Sequence, residues 1–239
     1  MTEIVKALVR GLASTLHPRM ILWMIWPLAV ALLVWGIAAV AFGAQTVRWL
    51  EGQLSTSAVA QWISQWIPFE PVAAVLGWAA LLILFVPLVI VTASFIVGVF
   101  GMTAMVDHVA RNYYPGLERR HGGTIMGMAG NAVMALVVFL LLSLVTLPLW
   151  FIPVLWPVLP VLLLAYFNQR MFRYDALSEH ADKDEMQAIF KRHNAAMYGL
   201  AILLSLIAQI PLVGFFIPVI AGLAFTHYGL AQLERMRRA

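Results

Sequence analysis

The residues best placed for chemistry are Arg19 and His17, which flank Pro18 at the start of a long apolar stretch. If residues 20–43 form a helix, Arg19 lies at its N-terminus, where unpaired backbone amides and the positive end of the helix dipole favour an anion. A guanidinium there can hold a tetrahedral oxyanion with two parallel hydrogen bonds, and a protonated His17 would assist it. These two residues are the predicted anion-binding site. The alternatives are an Arg19 that anchors the helix at lipid phosphates and a His17 that only caps it.

Three polar side chains in the last apolar region are candidates for lining a pathway: Ser205, Gln209 and Thr226. Polar residues at membrane depth join helices or line routes for solutes. Their hydroxyl and amide groups could solvate an anion without a fixed positive charge. Helix–helix packing is the favoured interpretation of the two.

Signals for an enzyme or a metal site are weak. The chain lacks cysteine and the G-x-S-x-G, H-E-x-x-H and Walker A patterns, so we expect no catalytic residues and no cofactor. Residues 179–185 are rich in oxygen ligands, but their spacing matches no standard metal site, and a solvated charged helix is the better interpretation. Arg170 and Arg173 are expected to form a structural charge cluster with Asp175.

The composition indicates a membrane protein. The chain is 63% hydrophobic and 11% charged, whereas soluble domains carry about 25% charged residues. Residues 121–169 and 193–233 contain no Asp, Glu, Lys or Arg, and a soluble chain of 239 residues could not bury such runs. The pI of about 9.7 is not accompanied by a basic stripe with interleaved aromatics, so we expect no nucleic-acid partner.

Positive charge is confined to four short segments, which hold all but one of the 15 Lys and Arg residues, Arg48 being the exception. Lys/Arg-rich loops stay on the cytoplasmic side of a membrane, which predicts that both termini are cytoplasmic. Arg111, Arg119 and Arg120, in one of these segments, could form a basic vestibule for anions, but topology explains them equally well.

The apolar stretches and basic segments together predict a single all-α membrane domain, residues 1–239, with two full transmembrane helices and two re-entrant hairpins. Its predicted parts are an interfacial amphipathic helix (1–19), a transmembrane helix (20–43), a periplasmic loop (44–71), a second transmembrane helix (72–106), a cytoplasmic loop (107–124), a first hairpin (125–169), a cytoplasmic amphipathic segment (170–194), a second hairpin (195–230) and a cytoplasmic tail (231–239).

The hairpins are inferred from prolines at the centre of each apolar region, such as Pro153 in the first and Pro211 in the second. Arms near 13 residues in the second hairpin span roughly 20 Å, short of a full crossing. Both tips lack charge, which favours hairpins that enter the bilayer only part-way; two ordinary spanning pairs are the alternative. Non-helical backbone at that depth needs cover, which favours a homo-oligomer, a dimer or larger.

Residues 191–230 resemble the C-terminal pattern of the CysZ sulfate permeases and the wider etoposide-induced-protein-like family, with Ile-Pro-Leu, a short tip, a second Pro and a Gly/Ala-rich arm ending in Thr226. The segment 167–180 is similar to the stretch that follows the first hairpin in that family. A Pro and an Arg before an apolar run that reaches Pro27 form the third likeness.

The resemblance implies sulfate uptake across a bacterial inner membrane for cysteine synthesis, and two spanning helices with two half-penetrating hairpins. The partners implied are sulfate or a similar oxyanion, membrane lipids and further copies of the chain. The family's anion segment typically reads Gly-Leu/Ile-Arg, often with a further Arg, whereas His17-Pro18-Arg19-Met20 has one Arg and no Gly. The alternative function is a non-transporting membrane scaffold or regulatory protein.

Overall fold

The computed structural model describes residues 2–66, 69–210 and 213–238, with side chains at most of these positions. Every regular element in these ranges is helical, which confirms the predicted all-α class. The chain forms two compact units, one of residues 25–96 and one of residues 1–24 with 97–239. A π-helical turn, Val97–Gly101, joins the fourth helix to the fifth. The helices are α1 (Thr2–Thr15), α2 (Pro18–Ser55), α3 (Ala58–Ile63), α4 (Phe69–Ile96), α5 (Met102–Tyr113), α6 (Ile125–Val145), α7 (Val158–Asp175), α8 (Lys183–Ile207) and α9 (Ile217–Arg238).

Two helices of the described chain are long and apolar enough to cross a membrane: α2 and, from Met126 to Val145, α6. Only 11% and 6% of their most apolar windows are buried. The core helix of a soluble protein would be buried, so the exposure of these two favours a bilayer as their solvent. α2 has 38 residues, about 57 Å of helix, and continues well past the predicted end at residue 43 into the predicted loop 44–71.

In the unit of residues 25–96, α2 packs against α4. The Trp35 indole N–H donates to Thr92 Oγ1 at 2.9 Å. A Cβ at Gly77 would lie 3.0 Å from Val47 Cγ1, so the two helices approach closely at a small residue. Both contacts are of the type that holds apolar helices together in lipid.

The core of the larger unit is built around α9. Nearly every residue from Ile217 to Leu230 is buried, and α9 contacts α1, α5, α7 and α8. A helix that is buried on all sides needs small residues where its neighbours approach. At Gly222 an added Cβ would lie 2.7 Å from Met105 Sδ.

α1 approaches α9 closely at small residues, and its larger side chains Ile4 and Leu8 also pack against the core. Ala7, Gly11 and Ser14 are buried, and a Cβ on Gly11 would lie 2.9 Å from Ala224 Cα. The opposite face is apolar and exposed, with Val5 at 51% and Val9 at 57%. α1 therefore has one face on the protein core and an exposed apolar face, and its location in the membrane interface remains a prediction.

Two helical hairpins follow, one of α6 and α7 and one of α8 and α9. The 21 residues of α6 give about 31 Å of helix, enough for a full crossing, whereas α7 is apolar only over its first half. The apolar part of α8, residues 195–207, is about 20 Å long. Part-way entry into the bilayer thus fits the helix length of the second hairpin better than that of the first. It remains a prediction for both hairpins. Pro211, at the predicted tip, lies outside the described residues.

The tip of the first hairpin satisfies much of its backbone locally. Two 3-10 turns, Leu147–Phe151 and Pro153–Leu155, connect α6 to α7. The indole of Trp156 donates to the carbonyl of Trp150 at 2.6 Å. Local hydrogen bonds of this kind lower the cost of placing an apolar, non-helical tip in lipid.

In the larger unit, backbone hydrogen bonds join residues 120–123 to residues 178–181. The amides of Gly122 and Gly123 donate to the carbonyls of Ala181 and Ser178, each at 2.9 Å. Cβ atoms on these glycines would lie 2.5 Å from Ala181 O and 2.7 Å from Ser178 Cα. Only glycine fits at this close approach.

Candidate anion-binding site

The start of α2 is capped by His17. The His17 carbonyl accepts hydrogen bonds from the amides of Met20 (2.8 Å) and Ile21 (3.0 Å), and its Nδ1 accepts from the amide of Arg19 at 3.3 Å. Pro18, the first helical residue, has no amide to offer. The backbone amides of the first turn are therefore occupied, contrary to the expectation that they are free for an anion. His17 therefore caps the helix, which was the alternative interpretation of this residue.

The positive charge at this helix end comes from Arg19. Its side chain is exposed, and no described carboxylate lies within ion-pair distance of it. Arginines in the loop after α5 differ in this respect: Arg119 contacts Asp107 and Glu179, and Arg120 contacts Glu185 at 2.9 Å. A guanidinium without a counter-ion at a helix N-terminus is suited to an anion from solution.

α5 contributes a second polar group to this site. The ring of His108 lies 4.5 Å from that of His17, centroid to centroid, and Asn112 Nδ2 lies 3.2 Å from His108 Nδ1. Burial, followed by the electrostatic influence of His17 and Arg19, lowers the pKa of His108. A neutral His108 at pH 7 can donate a hydrogen bond to an anion without adding charge. His108 was not among the predicted site residues, because only the charged residues of its segment gave a sequence signal.

The predicted pathway residues occupy different environments. Ser205 on α8 and Thr226 on α9 are fully buried, and Thr226 Oγ1 donates to the Gly222 carbonyl at 2.7 Å. Ser205 Oγ has no hydrogen-bond partner among the described residues. Gln209 Nε2 lies 3.5 Å from the Ser205 carbonyl. Burial of this kind suits helix packing, and a pathway through these positions would require the helices to separate.

Comparison with known families places these features in context. The family model described as sulfate transporter CysZ/etoposide-induced protein 2.4 (EI24) matches residues 7–218 of the 239-residue chain. The chain belongs to the EI24 family. This confirms the family inferred from the sequence and agrees with the apolar helices in indicating a membrane protein. The chain matched none of the curated proteins and none of the solved structures with which it was compared.

The basic loop of this EI24 member is neutralised by its own carboxylates. Arg111 contacts Asp107 at 3.2 Å, and Arg119 and Arg120 contact the acidic residues named above. An anion vestibule built from these three arginines is therefore not supported, because their charge is already used within the fold. The carboxylates of residues 179–185 likewise serve the protein: Asp182 and Glu185 form a capping box at the start of α8.

Asp175 does not join the predicted cluster with Arg170 and Arg173. Neither arginine lies within ion-pair distance of it in the described structure. Burial raises the pKa of the Asp175 carboxyl to about 7. The cluster fails because the two guanidinium groups face α8 rather than the C-terminal end of α7.

Asp175→Asn is expected to stabilise the protein at high pH. Because the folded-state pKa is raised from 3.8 to about 7, the unfolded chain releases a proton that the folded chain keeps, and ionisation opposes folding as pH rises between these values. An amide removes that penalty, a gain of about 2 kcal/mol at pH 8 that shrinks towards pH 4. Unfolding by SDS in mixed micelles at several pH values measures it.

Asp184→Asn, at an exposed position on α8, is the control and should show no such gain. A gain from Asp175→Asn that is equal at pH 8 and pH 4, or absent at both, would contradict the assignment of a half-buried carboxyl without an ion-pair partner.

Proposed function

We propose that this chain is an oligomeric permease or channel-like protein of a bacterial inner membrane, with both termini in the cytoplasm. It passes sulfate or a related oxyanion, which supplies sulfate for cysteine biosynthesis. The observation that carries the proposal is the Arg19 guanidinium, exposed and without a described counter-ion at the N-terminus of α2, in a chain of the EI24 family.

The chemistry of the site suits a tetrahedral oxyanion. Arg19 supplies two parallel donors, and the helix dipole adds positive potential. Neutral His108 and Asn112 supply further polar contacts on the α5 side. With the backbone amides already capped, binding depends on side chains, which suits the weak, reversible occupancy that a permeation site requires.

We also propose that the second hairpin, formed by α8 and α9, enters the membrane only part-way. The roughly 20 Å apolar arm of α8 supports it, since a full crossing needs about 30 Å. A cysteine introduced at Val213, in a chain without native cysteines, should resist an impermeant thiol reagent applied from outside. Ready labelling from that side would refute the half-penetrating arrangement.

Radiolabelled sulfate flux into proteoliposomes tests the function. We expect uptake above empty vesicles for the wild type and a loss of about tenfold or more for Arg19→Ala, since a charge-assisted contact is worth about 1.5–3 kcal/mol. Arg48→Ala, an exposed arginine at the other end of the same helix, is the matched control and should leave flux unchanged.

Arg19→Lys should retain part of the flux, because a lysine keeps the charge but not the bidentate geometry. Absence of flux in the wild type would refute transport and favour the non-transporting scaffold. Normal flux in Arg19→Ala would leave transport standing and remove Arg19 from the site.

A further inference from the structure

A basic groove of about 690 Å³ lies between α7 and α8, apart from the site at Arg19. The residues that line it include Tyr166, Arg170, Arg173, Lys191, Asn194 and Tyr198. None of the described residues that line it is acidic. Three cations that share a groove without a carboxylate repel one another, so the groove gains stability when an anion enters it.

The arginines in the groove have hydrogen-bonding capacity that the protein does not use. The Nε atoms of Arg170 and Arg173 are buried and have no partner in the described part of the chain. Arg173 is positioned by its neighbours, with Nη1 3.3 Å from Asn194 Oδ1 and its guanidinium 4.7 Å from the Phe190 ring centroid. Buried unsatisfied donors are costly, and an oxyanion would satisfy them.

The groove lies at a polarity boundary on both helices. On α7 the residues before Tyr166 are apolar and those after Asn168 include Arg170 and Arg173. On α8 the order is reversed, with the basic residues before the apolar arm of residues 195–207. Gln169 Nε2 on α7 donates to Asn194 Oδ1 on α8 at 3.0 Å, so the two boundaries lie side by side. In a membrane helix such a boundary, marked by tyrosines and basic residues, falls at the level of the lipid headgroups.

We propose that this groove binds a phosphate-type oxyanion, with the phosphoryl oxygens held by Arg170, Arg173 and Lys191. Guanidinium donors match phosphate geometry, and the ammonium of Lys191 adds a mobile charge at the exposed edge. The hydroxyls of Tyr166 and Tyr198 and the amide of Asn194 are then available to polar groups next to the phosphate. Two sources share this chemistry: the headgroup of an anionic lipid and free phosphate.

The test measures equilibrium binding of labelled phosphatidylglycerol, phosphatidylcholine and inorganic phosphate to the full-length protein in detergent micelles. We expect phosphatidylglycerol to bind more tightly than phosphatidylcholine, and its affinity to fall about fivefold in Arg170→Gln and in Lys191→Gln. Lys183→Gln, at an exposed position on the same helix α8 but outside the groove, is the matched control and should bind as the wild type does.

Lys191 is exposed, so its variant keeps the test valid if an arginine variant does not fold. Phosphate binding that the groove variants weaken, without preference for phosphatidylglycerol, also supports the site and assigns it to a free oxyanion. Equal affinity for phosphatidylcholine and phosphatidylglycerol with no phosphate binding overturns the proposal. So does an affinity that Arg170→Gln and Lys191→Gln leave unchanged, or that Lys183→Gln lowers as much.

Discussion

Gly123→Ala is expected to separate residues 120–123 from residues 178–181 and to destabilise the larger unit by about 3 kcal/mol or more. The added Cβ would lie 2.7 Å from Ser178 Cα and 3.0 Å from Ser178 O, and neither backbone atom can rotate away. Overpacking alone costs about 1–3 kcal/mol, and each backbone hydrogen bond lost adds about 1 kcal/mol. The backbone amides of residues 120–123 all donate hydrogen bonds to carbonyls of residues 178–181.

The midpoint of SDS-induced unfolding in mixed micelles measures this effect. Gly130→Ala is the matched control, because no atom lies within 4 Å of its Cβ and the residue is inside α6. It should stabilise the protein by about 0.5–1 kcal/mol through helix propensity. An unfolding midpoint for Gly123→Ala equal to that of the wild type would show that the hydrogen bonds between residues 120–123 and 178–181 do not stabilise the fold.

The all-α class could be predicted because hydropathy and proline report local properties of the chain. Helix ends could not be predicted in the same way. α2 continues through Arg48 to Ser55 although the sequence becomes polar there, because hydropathy reports the solvent around a helix and not its backbone. The close approach of α1 to α9 also has no hydropathy signal, because it occurs at Gly11 and not at a large apolar residue.

The candidate site could be predicted only where it is local. Arg19 and His17 adjoin the helix that positions them, so their placement follows from the sequence. His108 reaches the same site from a helix ninety residues later, and no single-sequence pattern encodes that distance. The groove on α7 and α8 also depends on tertiary packing, since Arg170 and Arg173 were expected to pair with Asp175 and instead face α8.

Arg237→Gln is expected to destabilise the protein by about 3 kcal/mol, because Arg237 joins three segments that are distant in sequence. Its Nε and Nη2 donate to the two carboxylate oxygens of Glu185 at 2.9 and 2.8 Å. Its remaining donors reach the carbonyls of Glu118 (2.9 Å) and His180 (2.7 Å). The side chains of Arg237 and Glu185 are only 15% and 12% exposed, so removing Arg237 leaves a poorly solvated Glu185 carboxylate with Arg120 as its remaining ion-pair partner.

Arg238→Gln is the control for this prediction, since it makes the same change at the next residue. Arg238 is 76% exposed and pairs with Glu234 four residues earlier, an interaction worth less than about 0.5 kcal/mol. The hydrogen bonds from Arg237 hold the pKa of Glu185 below 4.5, so this pair stabilises the fold above pH 4.5 and less as pH falls through the lower value. SDS-induced unfolding between pH 3 and 7 should therefore show a weaker loss of stability on acidification in Arg237→Gln than in the wild type. Equal losses of stability in the two arginine variants at pH 7 would show that the ion pair between Arg237 and Glu185 contributes no more than an exposed one.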